Sequence, residues 1–350
     1  MIELEIISCG PATSLQDMGR PGWSRIGLPS AGAMDPRALR LANELVANDP
    51  GEAAIEMAFT GLAARVSGGP MHAAVAGART RLRIAGRAHP ENESFVVEAG
   101  ETLEIAAMSD GVYAMLAVEG GFAIAPSMGS RSLDLRAAIG GWQGRPLRAG
   151  DVLPLRRHPA ARQARAAPVP LDLDVPVRVV LGPQEDAFTE RGLQTLIGRT
   201  FMASPRMSRM AYRLDGPAIE RRPGVEMISE GTMPGSIQVP PDGQPLVLMA
   251  DRQTVGGYPK IATVISTDLG RLAQRRPGQS IVFQMVSALE AREIACQSQL
   301  ARNAVKPVGF GENGQPHIDA ALLSGIGDAV VDAVDFETWE YVAAQASAHR

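Results

Sequence analysis

Lysine is nearly missing from this chain. Of its 34 basic side chains only Lys260 and Lys306 are lysines, and the rest are arginine. GC-rich coding accounts for the bias as a whole. It does not account for a lysine kept inside a polar motif, where a desolvated ammonium can shed a proton near neutrality and a guanidinium cannot. Cysteine is as scarce: Cys9 and Cys296 lie far apart and outside any metal or redox motif, which fits a reducing compartment and leaves their pairing open. Five scattered histidines give no His-x-x-x-His spacing, so no metal site is expected.

Other absences narrow the function. No run of eighteen apolar residues occurs and no basic stretch leads into an apolar one at the start, so a cytoplasmic protein without a membrane partner is expected. A net charge of -4 offers no attraction for phosphate backbones, and nucleic acid is not an expected partner. Neither lysine follows a glycine, which excludes a Walker phosphate loop. Neither has a flanking methionine, as a biotinyl carrier lysine would. No Gly-x-Ser-x-Gly elbow is present.

What the chain does contain is a core. At 350 residues, 45% hydrophobic and 21% charged, it is long enough for two globular domains. Short apolar segments from about residue 55 to 125, among them "AARVSG", "TRLRIAG" and "VYAMLAVEGGF", recur at strand length with turns between them. The second half repeats the theme with "PVRVVLG", "PLVLMAD", "KIATVIS" and "SIVFQMV". A mainly β fold with a few helices follows, in two related barrels. One helix opens at Asp35, a capping residue followed by Pro36; others are expected over "EDAFTERGLQTLIG", "LGRLAQ" and "LEAREIACQSQLARNAV". The divisions expected are a barrel over 1–157, a linker over 158–175, a second barrel over 176–305 and an extension over 306–350.

Polar chemistry gathers in four places. The loop "SLQDMGRPGWSRIGLPSAGAMD" carries Gln16, Asp17 and Arg20, either facing a ligand or with Asp17 and Arg20 paired to pin the loop. "SMGSRSLDLRAAIGGW" brings Arg131, Ser132, Asp134 and Arg136. "SPRMSRMAYRLDGP" carries Arg209 and Arg213, which strand alternation would aim at one face, suited to a carboxylate or phosphate. The densest is "ADRQTVGGYPKIATV", where Asp251, Gln253, Thr254, Tyr258 and Lys260 follow a buried strand and Gly256 and Gly257 permit close backbone approach. Charged groups there are costly to bury unless paired or used. An Asp251 to Lys260 ion pair is one reading.

These motifs, with "GGWQGRPLRAGD", "EGTMPGSIQVPPDGQP" and "RLAQRRPG", resemble over residues 3 to 287 the family of allophanate hydrolase subunit 2, KipA-like proteins and the C subunit of 5-oxoprolinase. Ala31, Ala211 and Gly270 depart from the family's usual residues, and Ala211 is expected to tighten the arginine-bearing turn. The resemblance implies two cyclophilin-like β-barrel subdomains and an active cleft shared with a KipI-like partner subunit. It implies a third subunit in an ATP-dependent 5-oxoprolinase, which opens a cyclic amide to glutamate. One alternative is half of a biotin-dependent carboxyltransferase acting on urea or a related amide; another is a non-catalytic antagonist of a KipI-like kinase inhibitor. The small-molecule amide would meet Lys260 as the cation at its oxygen, with Tyr258 and Gln253 orienting it and Asp251 setting the lysine's charge. Arg209 and Arg213 would hold a carboxylate, and Gln16, Asp17 and Arg20 would reach the same cleft.

Overall fold

Leu4 and Ile6 on strand Glu3–Cys9, and Leu62, Ala64 and Val66 on Leu62–Ser67, turn inward while their neighbours face out. That alternation is the period of a half-buried strand. The two strands pair antiparallel, with Leu4 opposite Val66. They belong to a six-stranded sheet that faces a five-stranded one, Ser14–Gln16, Ala54–Ala58, Asp110–Val118, Met71–Arg79 and Phe95–Val97 in spatial order. The inner faces share one core that includes Leu15, Ile55, Phe95, Leu103 and Phe122. A computed structural model describes residues 1–156, 164–165, 171–224, 227–304 and 308–309. Of the expected linker only 164–165 and 171–175 are among these described residues, and of the expected C-terminal extension only 308–309.

Helix α1, Pro36–Leu45, starts where the sequence predicts: the Asp35 carboxylate accepts the N-H groups of Arg37 and Ala38 at 3.1 and 3.4 Å. Leu39, Ala42 and Leu45 seal the outer face of the five-stranded sheet, meeting Ala74, Ala76, Met115 and Ala117.

The second half is one eight-stranded sheet that nearly closes on itself. Ser280–Ile281 pairs with Phe201–Met207 at one edge; just beyond Val282, Phe283–Met285 pairs in parallel with Val177–Leu181 at the other. One short segment thus serves both edges and covers backbone groups that an open sheet would expose. The helix expected over 185–198 is broken. A 3-10 turn, Glu185–Ala187, precedes α2, Glu190–Gly198, because Phe188 is extended and buried in the core, and Thr189 then caps the new helix through its Oγ1. Helices α3, Ser266–Ala273, and α4, Ala288–Ala304, complete the four α-helices of the described residues.

The halves share their packing. Met34, Val112 and Tyr113 of the first join the core of the second. Gln274, just after α3, uses its whole amide across this seam. Its Oε1 accepts Val112 N-H at 2.8 Å and Tyr113 N-H at 3.0 Å, while its Nε2 donates to Asp35 Oδ2 at 3.0 Å and the Tyr113 carbonyl at 2.8 Å. Gly270 allows the approach: a Cβ there would stand 2.3 Å from Asp35 Oδ1.

Candidate functional site

Arg209 sits where the halves meet, in the turn that precedes strand Ala211–Asp215. Its Nε and Nη2 donate to Asp251 at 2.8 and 2.9 Å, its Nη2 also to the Gly32 carbonyl at 2.7 Å, and its Nη1 to Glu56. Four of its five N-H groups are therefore engaged before any ligand arrives. Glu56 is fully buried on strand Ala54–Ala58, and its other oxygen accepts Met34 N-H at 2.6 Å. Burial pushes the Glu56 carboxyl up, with Arg209 pulling it back. Burial acts to lower the Arg209 value as well, but Glu56 and Asp251 outweigh it and hold the guanidinium firmly protonated. Burial, with Glu56 beside it, also pushes the Tyr113 phenol up.

Arg209 and Arg213 do not share a face as alternation predicts. The strand begins only at Ala211, where the Ala211 carbonyl accepts Ser208 N-H at 3.0 Å, so Arg209 lies in the turn and is drawn to the seam. Arg213 instead pairs with the half-exposed Asp242.

The first loop places its groups at the same seam, in unequal states. Asp17 accepts the hydroxyls of Ser130 and Ser132, each at 2.6 Å, and the N-H groups of Gly19 and Arg131 at 2.7 and 2.5 Å. It forms no direct ion pair with Arg20, so the loop is pinned through the "GSRS" segment instead. Gln16 donates to Ser14 Oγ and the Leu133 carbonyl. Arg20 is 1% exposed. Its Nη2 reaches the Ser132 carbonyl, whereas Nε and Nη1 meet no acceptor among the described residues. Burial lowers its hold on a proton, and Asp17, Asp134 and Asp251 restore part of it.

Lys260 opens the strand Lys260–Val264 and is 4% exposed. Its partner is not Asp251, which is held by Arg209. The expectation that Asp251 sets the lysine's charge is overturned by geometry: Lys260 Nζ lies 3.2 Å from Glu230 Oε2. Gln184 braces the pair, its Nε2 donating to the same oxygen at 2.5 Å and its Oε1 accepting Lys260 N-H at 3.1 Å. Glu230 belongs to a two-stranded ribbon, Glu230–Gly231 with Val255–Gly256, where it faces Gly256. A Cβ at Gly256 would come within 2.5 Å of Gln238 Nε2, so this glycine makes room for a neighbouring amide. Gln253, Gly257 and Tyr258 are exposed around the ribbon, and Thr254 is buried beneath it with its carbonyl accepting Thr232 N-H at 3.0 Å. Ile228, Met233 and Val255 add large exposed apolar groups.

The structure thus brings together two sets where the sequence suggests one: Arg209, Asp251, Glu56 and Arg20 at the seam, and Lys260, Glu230 and Gln184 under the ribbon. Sequence reasoning does not single out Glu56, Glu230 or Gln184. Glu230 stands in view, as the first residue of "EGTMPGSIQVPPDGQP"; the other two carry no local signal. Open volume points elsewhere. A cavity of about 1420 Å³ lies beside α2, lined by Arg191, Arg199, Glu220 and Asp242, and one of about 790 Å³ by Cys9, Thr60 and Arg83. Neither contains Lys260, and the converging polar groups are the better guide to amide chemistry. Among the described residues no group of three or more His, Cys, Asp or Glu is placed to hold a metal ion, and no helix is long and apolar enough to cross a membrane. Cys9 and Cys296 are both free thiols.

The profile of the family described as carboxyltransferase domain, subdomain A and B, matches residues 26–285. The chain is 36% identical to the C subunit of 5-oxoprolinase from Haemophilus influenzae over 306 residues, 87% of this chain and 98% of that protein. It is 30% identical to urea amidolyase of Saccharomyces cerevisiae, over 83% of this chain but 17% of that protein. Among solved structures, TTHA0988 superposes with a TM-score of 0.74 at 36% identity, over 81% of this chain and 56% of that one. The Kluyveromyces lactis urea amidolyase gives 0.78 at 26% identity, over 85% and 20%.

Proposed function

The chain belongs to the carboxyltransferase domain family, subdomains A and B, and from that premise we propose that it is the C subunit of a heteromeric, ATP-dependent 5-oxoprolinase. The observation that carries this reading is the match to nearly the full length of a 5-oxoprolinase C subunit, against a small fraction of urea amidolyase. The substrate is then a cyclic amide, and the partners are a KipI-like subunit and a third subunit, together in the cytoplasm.

Amide opening needs a cation at the oxygen that gains charge and an acid or base at nitrogen. Lys260 is the cation in this reading. Tyr258 and Gln253 flank it from the ribbon, and Thr254, Gly256 and Gly257 shape the backbone between them. Arg209 acts as a strut, since it already grips two carboxylates. Arg20, buried with Nε and Nη1 unclaimed by the described residues, is the first-half guanidinium assigned to the cleft in this reading, while Gln16 and Asp17 hold its loop in shape. The apolar side chains of Ile228, Met233 and Val255 are the surface for the KipI-like partner, which explains why the half-site is an open face.

Nucleotide does not fit the described residues: no glycine-rich turn aims a lysine at a phosphate, and Lys260 Nζ turns to Glu230. ATP binding is assigned to the other subunits. A biotin-dependent carboxyltransferase acting on urea is the second reading, favoured by the fold match to urea amidolyase.

The test is reconstitution with the KipI-like partner and the third subunit, followed by ATP-dependent glutamate release from 5-oxoproline. Lys260→Met should abolish release while leaving the complex assembled on a sizing column. Wild-type turnover in that variant would remove Lys260 from the chemistry, and loss of activity on adding avidin would favour the carboxyltransferase.

A further inference from the structure

We propose that Glu230, braced by Gln184, is the carboxylate that works with Lys260, and that the two together read the C=O and N-H of the substrate amide. This rests on the amide-opening function proposed above. The pair has the required polarity. Glu230 Oε2 is taken by Gln184 and Lys260, but Oε1 receives no donor from the described residues, and the side chain is 50% exposed. An ammonium has three N-H groups, and among the described residues only Glu230 claims one at Nζ. Lys260 thus has donors left for a carbonyl oxygen, and Glu230 has an acceptor left for an adjacent N-H. A lactam or ureido group presents those two atoms side by side.

The backbone holds the pair in place. Gln184 bridges Lys260 N-H and the Glu230 carboxylate with one side chain, so the two cannot drift apart independently. Gly182 lies against the lysine, and a Cβ there would fall 2.1 Å from the Lys260 carbonyl. Glu230 arrives on the ribbon, opposite Gly256, from a stretch of chain thirty residues away from Lys260. It is a substrate-contacting group in this reading, and Gln184 is a positioning residue.

Two experiments test the proposal separately. The first needs only this chain, because it has so few lysines. In a Lys306→Arg background, the rate at which an amine-selective reagent modifies Lys260 is followed by mass spectrometry. Glu230→Ala should raise that rate several-fold, since it removes the carboxylate that holds Nζ at 3.2 Å. An unchanged rate would overturn the pairing.

The second uses the reconstituted complex with 5-oxoproline and its N-methyl analogue, which lacks the N-H. The wild-type complex should lose at least about tenfold in kcat/KM on N-methylation, and Glu230→Ala should erase most of that preference. If the variant keeps the full preference, Glu230 does not read the N-H. A wild-type complex that turns over no 5-oxoproline would overturn the proposed function and the substrate half of this inference, leaving the labelling result to decide the Lys260 and Glu230 pair alone.

Discussion

Two buried cations divide the work of this molecule, and they differ in how much of their hydrogen-bonding capacity is spent. Arg209 makes four bonds to groups from both halves, two of its partners being carboxylates. Lys260 makes one side-chain bond, to a carboxylate half open to water. A saturated cation fixes geometry, because its bonds are all internal and none can be exchanged for a substrate. An unsaturated one, buried yet next to solvent, keeps donors for chemistry. The residue type suits each role: the planar fork of arginine satisfies several acceptors at once, while the single ammonium of lysine can lose its proton. The difference separates a seam that holds the two halves together from the ribbon face proposed to receive a second chain.

Breaking the saturated side should have the largest effect. Arg209→Met leaves Glu56 fully buried without its counter-ion and should cost about 3–5 kcal/mol of stability. In a protein of this size that is a fall of about 4–7 °C in Tm, read by calorimetry. The loss should also depend on pH with a definite sign. Burial already raises the Glu56 carboxyl above its ordinary 4.5, and Arg209 is the largest influence opposing that. A carboxyl raised in the folded protein contributes stability that is present below its unfolded value and lost as pH rises through its folded value. Without Arg209 that folded value climbs further, so the Tm deficit should be greater at about pH 8 than at about pH 5. An equal deficit at both would mean that Glu56 gives up no proton in this range and that the seam is not the charge network described.

Gln274 tests the same seam without a charge. Gln274→Ala strands two backbone N-H groups and one carbonyl of the first half and should cost about 2–3 kcal/mol. Hydrogen exchange at Val112 and Tyr113 should accelerate while amides in the distant strand Leu62–Ser67 stay protected; uniform acceleration would show a global rather than a seam effect.

Some of this was legible in the residues and some was not, for a physical reason. Periodicity of apolar side chains gives the strands of both halves, and the Asp35 and Pro36 pair gives the start of α1, because both signals are local. The closing of the second sheet by residues 280–285 is set by partners about a hundred residues away, and no local pattern announces it. The site follows the same rule. Lys260 stands out by rarity, but proximity in sequence suggests Asp251 as its partner. Two long-range contacts decide otherwise: Asp251 is drawn to Arg209, and the ribbon carries Glu230 to the lysine. Ala211, expected to tighten the arginine turn, opens the next strand opposite Leu248, and its own carbonyl closes the turn by accepting Ser208 N-H.

The smallest effect on stability should come from Arg213. Its pair with Asp242 is partly exposed, and such pairs contribute under about 1 kcal/mol, so Arg213→Gln should shift Tm by no more than about 3 °C. Hydrogen bonding to Arg213 lowers the Asp242 carboxyl, yet solvent screens most of that interaction. The informative reading is kinetic. Asp242 lines the cavity of about 1420 Å³ beside α2, and Arg213 Nε has no acceptor among the described residues. If that cavity holds the substrate's carboxylate, Arg213→Gln should raise KM for 5-oxoproline by a hundredfold or so, the weight of a charge-assisted bond. If Lys260 and Glu230 form the substrate face, kcat/KM should stay within about twofold, because nothing on the ribbon contacts Arg213. We expect the second outcome. A hundredfold rise would move the substrate-binding cation from the ribbon to Arg213, the partner of the Asp242 that lines the cavity beside α2.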